Sequence, residues 1–183
     1  MILPVYLYNH PILKKKAEKV AEMTDELREF IKNMFETMHR ADGIGLAANQ
    51  VGSDKALTVI DISDVDEERG NTHPPLVLIN PVIEYFSDED EEQQEGCLSL
   101  PDFRDYVMRP KQIQVRYLDE NMKEQVKEAD ELLARVIQHE VDHLNGIYFF
   151  ERLSPMRRAL SQKKLKRIIR GEVNPNYPTL PHE

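Results

Sequence analysis

With one cysteine in 183 residues, no internal disulfide can form. No apolar run approaches the roughly 20 residues that a membrane-crossing helix needs. The start, MILPVYLYNHPILKKK, lacks even a stretch of signal-peptide length, so the chain is expected to be soluble and cytoplasmic. An excess of positive charge is missing too. Lys and Arg number 24 against 33 Asp and Glu, a net charge of −9, which argues against a protein that coats DNA or lies on a membrane as a whole. No repeat occurs at solenoid or propeller periods. The length suffices to bury a core without disulfides or a structural metal, so one domain over residues 1–183 is the expectation.

What is present is helical and strand patterning in an irregular order. Leu27, Phe30, Ile31, Met34, Phe35 and Met38 recur at helical spacing, with Thr24 placed to cap the start and Gly43 beyond the end. ALTVIDIS and LVLINPVIEYF are rich in β-branched residues and read as strands, separated by a polar surface loop over 64–75. QIQVRYL and KEQVKEA read as a hairpin, although no glycine marks its turn. Helices follow around 132–145 and 154–170, the second with Ser154 as cap and Pro155 in the first turn, and the tail 171–183 reads as loosely held. Without βαβ alternation, the pattern predicts an α+β fold of mainly antiparallel strands. The acidic run SDEDEEQQE reads as solvated surface.

The chemistry concentrates in RVIQHEVDHLNG. On a helical wheel Leu132, Leu133, Val136, Ile137, Val141 and Leu144 form an inner half, and Arg135, Gln138, Asp142 and Asn145 an outer one. His139 and His143 border the inner face, one turn apart, and Glu140 projects into its middle. Burying an unpaired carboxylate costs several kcal/mol, so Glu140 implies a compensating cation, hydrogen bond or proton. Two imidazoles in an H-E-x-x-H pattern can converge on one ion at about 2.0–2.1 Å, and the intervening Glu can reach a water beside it.

The third donor is not local. Position 149 is Phe, which excludes a His six residues after the second. Glu151 and Glu172 are carboxylate candidates, but neither lies on a well-packed element. Cys97 in EGCLSLP, 42 residues before His139, is the remaining soft donor, and Gly96 leaves room for a ligand to approach the backbone beside it. A third stretch, GIGLAANQ over 43–50, has no Gly-Lys-Ser/Thr and is a weak phosphate cradle.

In this order GIGLAANQ, EGCLSLP and QHEVDHLNG closely resemble the three signature motifs of peptide deformylases of the bacterial type, and the likeness spans roughly residues 2–168. PDFRDYVMRP also resembles the family, with Arg104 at a position where it usually has Arg. The resemblance implies that Cys97, His139 and His143 bind one divalent metal, natively iron(II), with zinc or nickel able to replace it in purified protein. It implies that Glu140 takes the proton of the attacking water and returns one to the departing amine. Gln50 and the backbone N–H of Leu98 would donate to the developing oxyanion, and Ile44, Gly45 and Gly96 would line the substrate. The substrate would be an N-formylmethionyl peptide and the products formate and a free amino terminus. Departures are the long acidic stretch before Glu95, the longer loop near 64–75, the hairpin without glycine, and Arg135 at a pocket position that is often apolar.

A zinc endopeptidase with Glu172 as third ligand is the alternative, followed by a metal-stabilised binding module. Residues 154–170 carry seven basic residues and no acid; removing those seven charges from −9 leaves −16 on the rest. Either this is a solvated helix whose Leu160, Leu165, Ile168 and Ile169 pack on the body, or it docks on ribosomal RNA where nascent chains emerge.

Overall fold

The structure, a computed structural model, describes residues 1–67 and 73–180. Its elements in chain order are β1 (Val5–Tyr6), α1 (Asp25–Arg40), β2 (Gly45–Ala47), β3 (Leu57–Ile60), α2 (Ser63–Glu67), β4 (Leu76–Phe86), β5 (Asp90–Cys97), β6 (Leu100–Pro110), β7 (Gln112–Leu118), β8 (Glu124–Asp130), α3 (Glu131–Leu144), α4 (Pro155–Ile169) and β9 (Thr179–Leu180). Thr24 caps α1 by accepting from the Leu27 N–H at 3.1 Å. Of the loop expected over 64–75, the part 68–72 lies outside the described residues, and the part before it belongs to α2.

The main sheet is antiparallel, in the order β2-β3-β4-β7-β8. Strand alternation sends Leu57, Val59, Val77 and Ile79 toward Leu27, Ile31, Met34 and Met38 of α1. The intervening Ile60 and Leu78, with Ile113 and Val115, face Leu133, Val136 and Ile137 of α3. Helices therefore cover both faces, which is why β3 is buried along its whole length. The β7–β8 turn manages without glycine. Met122 takes φ +58°, and the Asp119 carboxylate accepts from the N–H groups of Asn121 and Lys123 at 2.8 and 3.1 Å.

Three expectations are corrected. The acidic run is not merely solvated surface: Asp90–Cys97 is a strand paired antiparallel with β6, and Glu95 at its end is buried. This hairpin lies over the polar side of α3, so Arg135, Gln138 and Asp142, placed by the wheel on an outer face, are buried as well. Gln138 donates to Pro110 O at 2.9 Å, Arg135 to Val107 O at 2.9 Å, and Asp142 accepts from Arg109 at 2.9 Å. The tail is also not loose as far as residue 180. Pro175 and Pro178 keep it extended, and the open edge of β1 needs partners. β9 pairs parallel with β1, with Val5 N–H to Pro178 O at 2.9 Å and Leu7 N–H to Leu180 O at 2.8 Å. On α4, Leu165 and Ile168 are buried against the body, but Leu160 and Ile169 stay exposed.

Candidate metal centre and its cleft

Each of the three motifs ends on a different element, and the fold brings them to one cleft of about 610 Å³. α3 supplies His139, Glu140 and His143; the end of β5 supplies Cys97; the turn after β2 supplies Gln50. Cys97 Sγ lies 3.2 Å from His143 Nε2, and His143 Nε2 lies 3.2 Å from His139 Nε2. Ligand atoms of Cys97, His139 and His143 all fall within 4.8 Å of one another, and no other group of three or more His, Cys, Asp or Glu meets that condition among the described residues.

The surroundings fix these donors. His139 Nδ1 is 2.7 Å from Glu95 Oε1, which leaves Nε2 turned toward the sulfur and the second imidazole. Asn49 Nδ2 donates to the His143 backbone carbonyl at 2.6 Å. Gln50 is held at both ends: its Oε1 accepts from Ala47 N–H at 3.0 Å, and its Nε2 donates to Ser99 Oγ at 3.1 Å and approaches Cys97 Sγ at 3.4 Å. Glu140 is 3 % exposed and its Oε2 has no protein partner. Gly45, with no side chain, leaves the carboxyl room in this position. A Cβ there would stand 2.9 Å from the Glu140 carboxyl carbon.

Electrostatics follow from burial and neighbours. Burial, reinforced by the Glu95 carboxylate and opposed by His139 and Arg109, raises Glu140 to about 7. Burial alone would lower His139, but the Cys97 sulfur, Glu95 and Glu140 outweigh it and raise the imidazole to about 10. His143 goes the other way, well below its ordinary value, through burial and the positive charges of His139 and Arg109. Glu95 itself is held well below the carboxylate range: burial would raise it, but its bonds to His139 and Arg109 prevail.

The sequence model of polypeptide deformylases matches residues 2–159. The chain belongs to the polypeptide deformylase family. The peptide deformylase of Salinibacter ruber is 45% identical, covering 97% of this chain and 94% of that protein. That of Chlorobium phaeobacteroides is also 45% identical, over 100% of this chain and 97% of the relative. Among solved structures, the Legionella pneumophila deformylase superposes with a TM-score of 0.82 at 35% identity, covering 94% of this chain and 98% of that one. A Synechococcus elongatus deformylase solved in complex with actinonin gives 0.80 at 42% identity over 98% and 92% of the two chains. The family's metal-dependent reaction, removal of the formyl group from formylmethionine at the head of nascent polypeptides with release of formate, is this chain's activity.

Every residue singled out from the deformylase motifs lines or adjoins this cleft. Ile44, Gly45, Gln50, Gly96, Cys97, Leu98, His139 and Glu140 line it directly, and His143 lies beneath. Glu151 and Glu172 do not join them. Glu151 binds Lys14 and the Tyr148 N–H, and Glu172 lies beside Arg167 and Arg170 at the end of α4. Sequence reasoning missed Glu95, Arg109, Asn49, Ser99 and Tyr177. Glu95, adjacent to Gly96-Cys97 and ending an acidic run, carried a signal in its position; Tyr177 carried none.

Proposed function

We propose that Cys97, His139 and His143 hold a single divalent ion and that Glu140, Gln50 and Leu98 carry out the hydrolysis of N-formylmethionyl peptides around it. The observation that carries this reading is the convergence of one thiol and two imidazoles within 4.8 Å, in a cleft where the buried Oε2 of Glu140 has no hydrogen-bond partner. The donors fit a metal: one soft sulfur, two ring nitrogens, and a carboxylate behind His139 that selects its free nitrogen. A bound ion supplies Lewis acidity that polarises the formyl oxygen and acidifies a water.

The rest is done by the chain. Glu140, in the wall of the cleft, accepts a proton from the attacking water and delivers one to the leaving amine nitrogen. Gln50 Nε2 has two N–H groups. Ser99 fixes the amide, whose nitrogen lies 3.4 Å from Cys97 Sγ, within reach of the oxyanion that develops on the formyl group; the Leu98 N–H is the second donor. Ile44, Gly45 and Gly96 take the substrate backbone and the methionine side chain. Iron(II) is the native ion, with zinc or nickel able to replace it, and the softness of the Cys/His/His set suits all three. The whole chain acts as one catalytic domain, in the cytoplasm where nascent chains are made. Its basic helix α4, with Lys163, Lys164 and Arg167 exposed, docks the enzyme on ribosomal RNA.

The endopeptidase alternative needs Glu172 as a ligand, and its pairing at the far end of α4 speaks against it. The test is incubation with formyl-Met-Ala and detection of formate, before and after chelation. Release that chelation abolishes and iron(II) restores supports the proposal; release indifferent to metal refutes it.

A further inference from the structure

The small parallel sheet of β1 and β9 lies away from the reacting groups, yet both strands reach the corner that joins β5 to β6. Tyr8, just after β1, donates its N–H to Ser99 O at 2.9 Å. Tyr177, just before β9, donates its hydroxyl to Leu98 O at 2.8 Å. β1 also packs on the turn that carries Gln50: a Cβ on Gly52, at the end of that turn, would meet the Tyr6 ring at 2.8 Å. The two proposed oxyanion donors, on separate motifs, are thus braced by one two-stranded sheet, half of which is the C-terminal tail.

We propose that Tyr177 is a positioning residue for the deformylation reaction, fixing the Leu98 backbone so that its N–H is aimed at the developing oxyanion. Leu98 stands at a two-residue corner between Cys97 and Leu100, where the β5–β6 register shifts and strand pairing cannot hold the backbone. The carbonyl of Leu98 would otherwise be free to rotate with its neighbouring peptide groups. The Tyr177 hydroxyl takes that carbonyl, Tyr8 takes the next one, and the Ser99 side chain ties the same corner to Gln50. The Tyr177 ring also forms part of the cleft wall, and burial holds its hydroxyl above the ordinary tyrosine value, which keeps it a donor at neutral pH. Since an oxyanion donor acts only as charge develops, loosening it lowers turnover and leaves ground-state binding in place.

This inference rests on the oxyanion role proposed for Leu98 and Gln50, so the experiment has to separate the two. Tyr177→Phe removes one oxygen and keeps the ring. With formyl-Met-Ala, kcat should fall about five- to tenfold, the rate equivalent of one neutral hydrogen bond, while KM and metal content remain those of the parent. Gln50→Ala, measured alongside, should lower kcat by ~10²–10³ with metal retained. Normal turnover in Tyr177→Phe beside a crippled Gln50→Ala overturns the positioning role alone. Normal turnover in Gln50→Ala removes the oxyanion reading and the inference with it. A Tyr177→Phe enzyme that loses metal in step with activity, or changes only in KM, assigns the residue to packing and also overturns the proposal.

Discussion

Replacing Glu95 by Gln, an almost isosteric change, should damage both the stability and the metal affinity of this protein. The carboxylate is 6 % exposed and accepts four hydrogen bonds. Its Oε2 takes Arg109 Nε at 2.6 Å and Arg135 Nη1 at 2.7 Å; its Oε1 takes Arg109 Nη2 at 2.9 Å and His139 Nδ1 at 2.7 Å. An amide keeps one acceptor oxygen and turns an NH₂ against two donors. Arg109 retains Asp142, but Arg135 keeps only the carbonyls of Val107 and Glu91 for a buried positive charge. Breaking such a buried pair by neutralising one partner costs about 3–5 kcal/mol. At about 2–4 °C per kcal/mol for a chain of this size, Tm should fall by roughly 6–20 °C. Loss of the acceptor behind His139 should weaken metal binding ~10–100-fold.

The pH dependence has a definite sign. The folded Glu95 carboxyl titrates below its ordinary value of 4.5, so its contribution is complete above that pH and is lost as the solution is acidified toward the depressed folded value. The stability gap between parent and variant should therefore be full at pH 7 and narrow progressively below about pH 4.5. Urea unfolding across this range, with a competitive metal titration at neutral pH, measures both quantities. A variant within about 1 kcal/mol of the parent at pH 7, or a gap that widens in acid, would refute the reasoning.

Cys97→Ala should lose most of its metal while Glu172→Ala keeps it, and metal analysis of the two purified variants decides between the thiol and the carboxylate as third ligand. Glu140→Gln should retain metal yet lose at least ~10³ in turnover; joint loss of metal and activity would make Glu140 a ligand instead of a proton carrier. In Gly45→Ala the new methyl displaces only the flexible end of Glu140, so kcat should drop at least about tenfold with little change in Tm, and a large fall in Tm would count against that assignment. Reversing the charge at Lys163, Lys164 and Arg167 should weaken co-sedimentation with ribosomes at low salt without changing hydrolysis of a short free peptide; unchanged co-sedimentation would leave α4 a purely structural helix.

Local spacing carried much of this protein in its sequence. Thr24 with the Leu27–Met38 stripe specified α1, because capping and a 3.6-residue period act within one element. The four-residue interval from His139 to His143 put both imidazoles on one edge of α3 for the same reason. The three motifs pointed to the deformylase family and to Cys97, although nothing in a 42-residue gap states that sulfur and imidazole meet. What tertiary structure alone decided is how each surface is covered. Arg135, Gln138 and Asp142 look solvent-facing on a wheel, because a wheel contains only the helix; the β5–β6 hairpin, formed from a run that reads as acidic surface, buries them and turns Glu95 into the hub of an ion-pair network. Likewise the tail has the prolines and polar residues of a loose end, yet the open edge of β1 gives its N–H and carbonyl groups partners and brings Tyr177 to Leu98. Periodicity reports which residues share a face; burial depends on which distant segment arrives there, and that is settled only when the chain closes on itself.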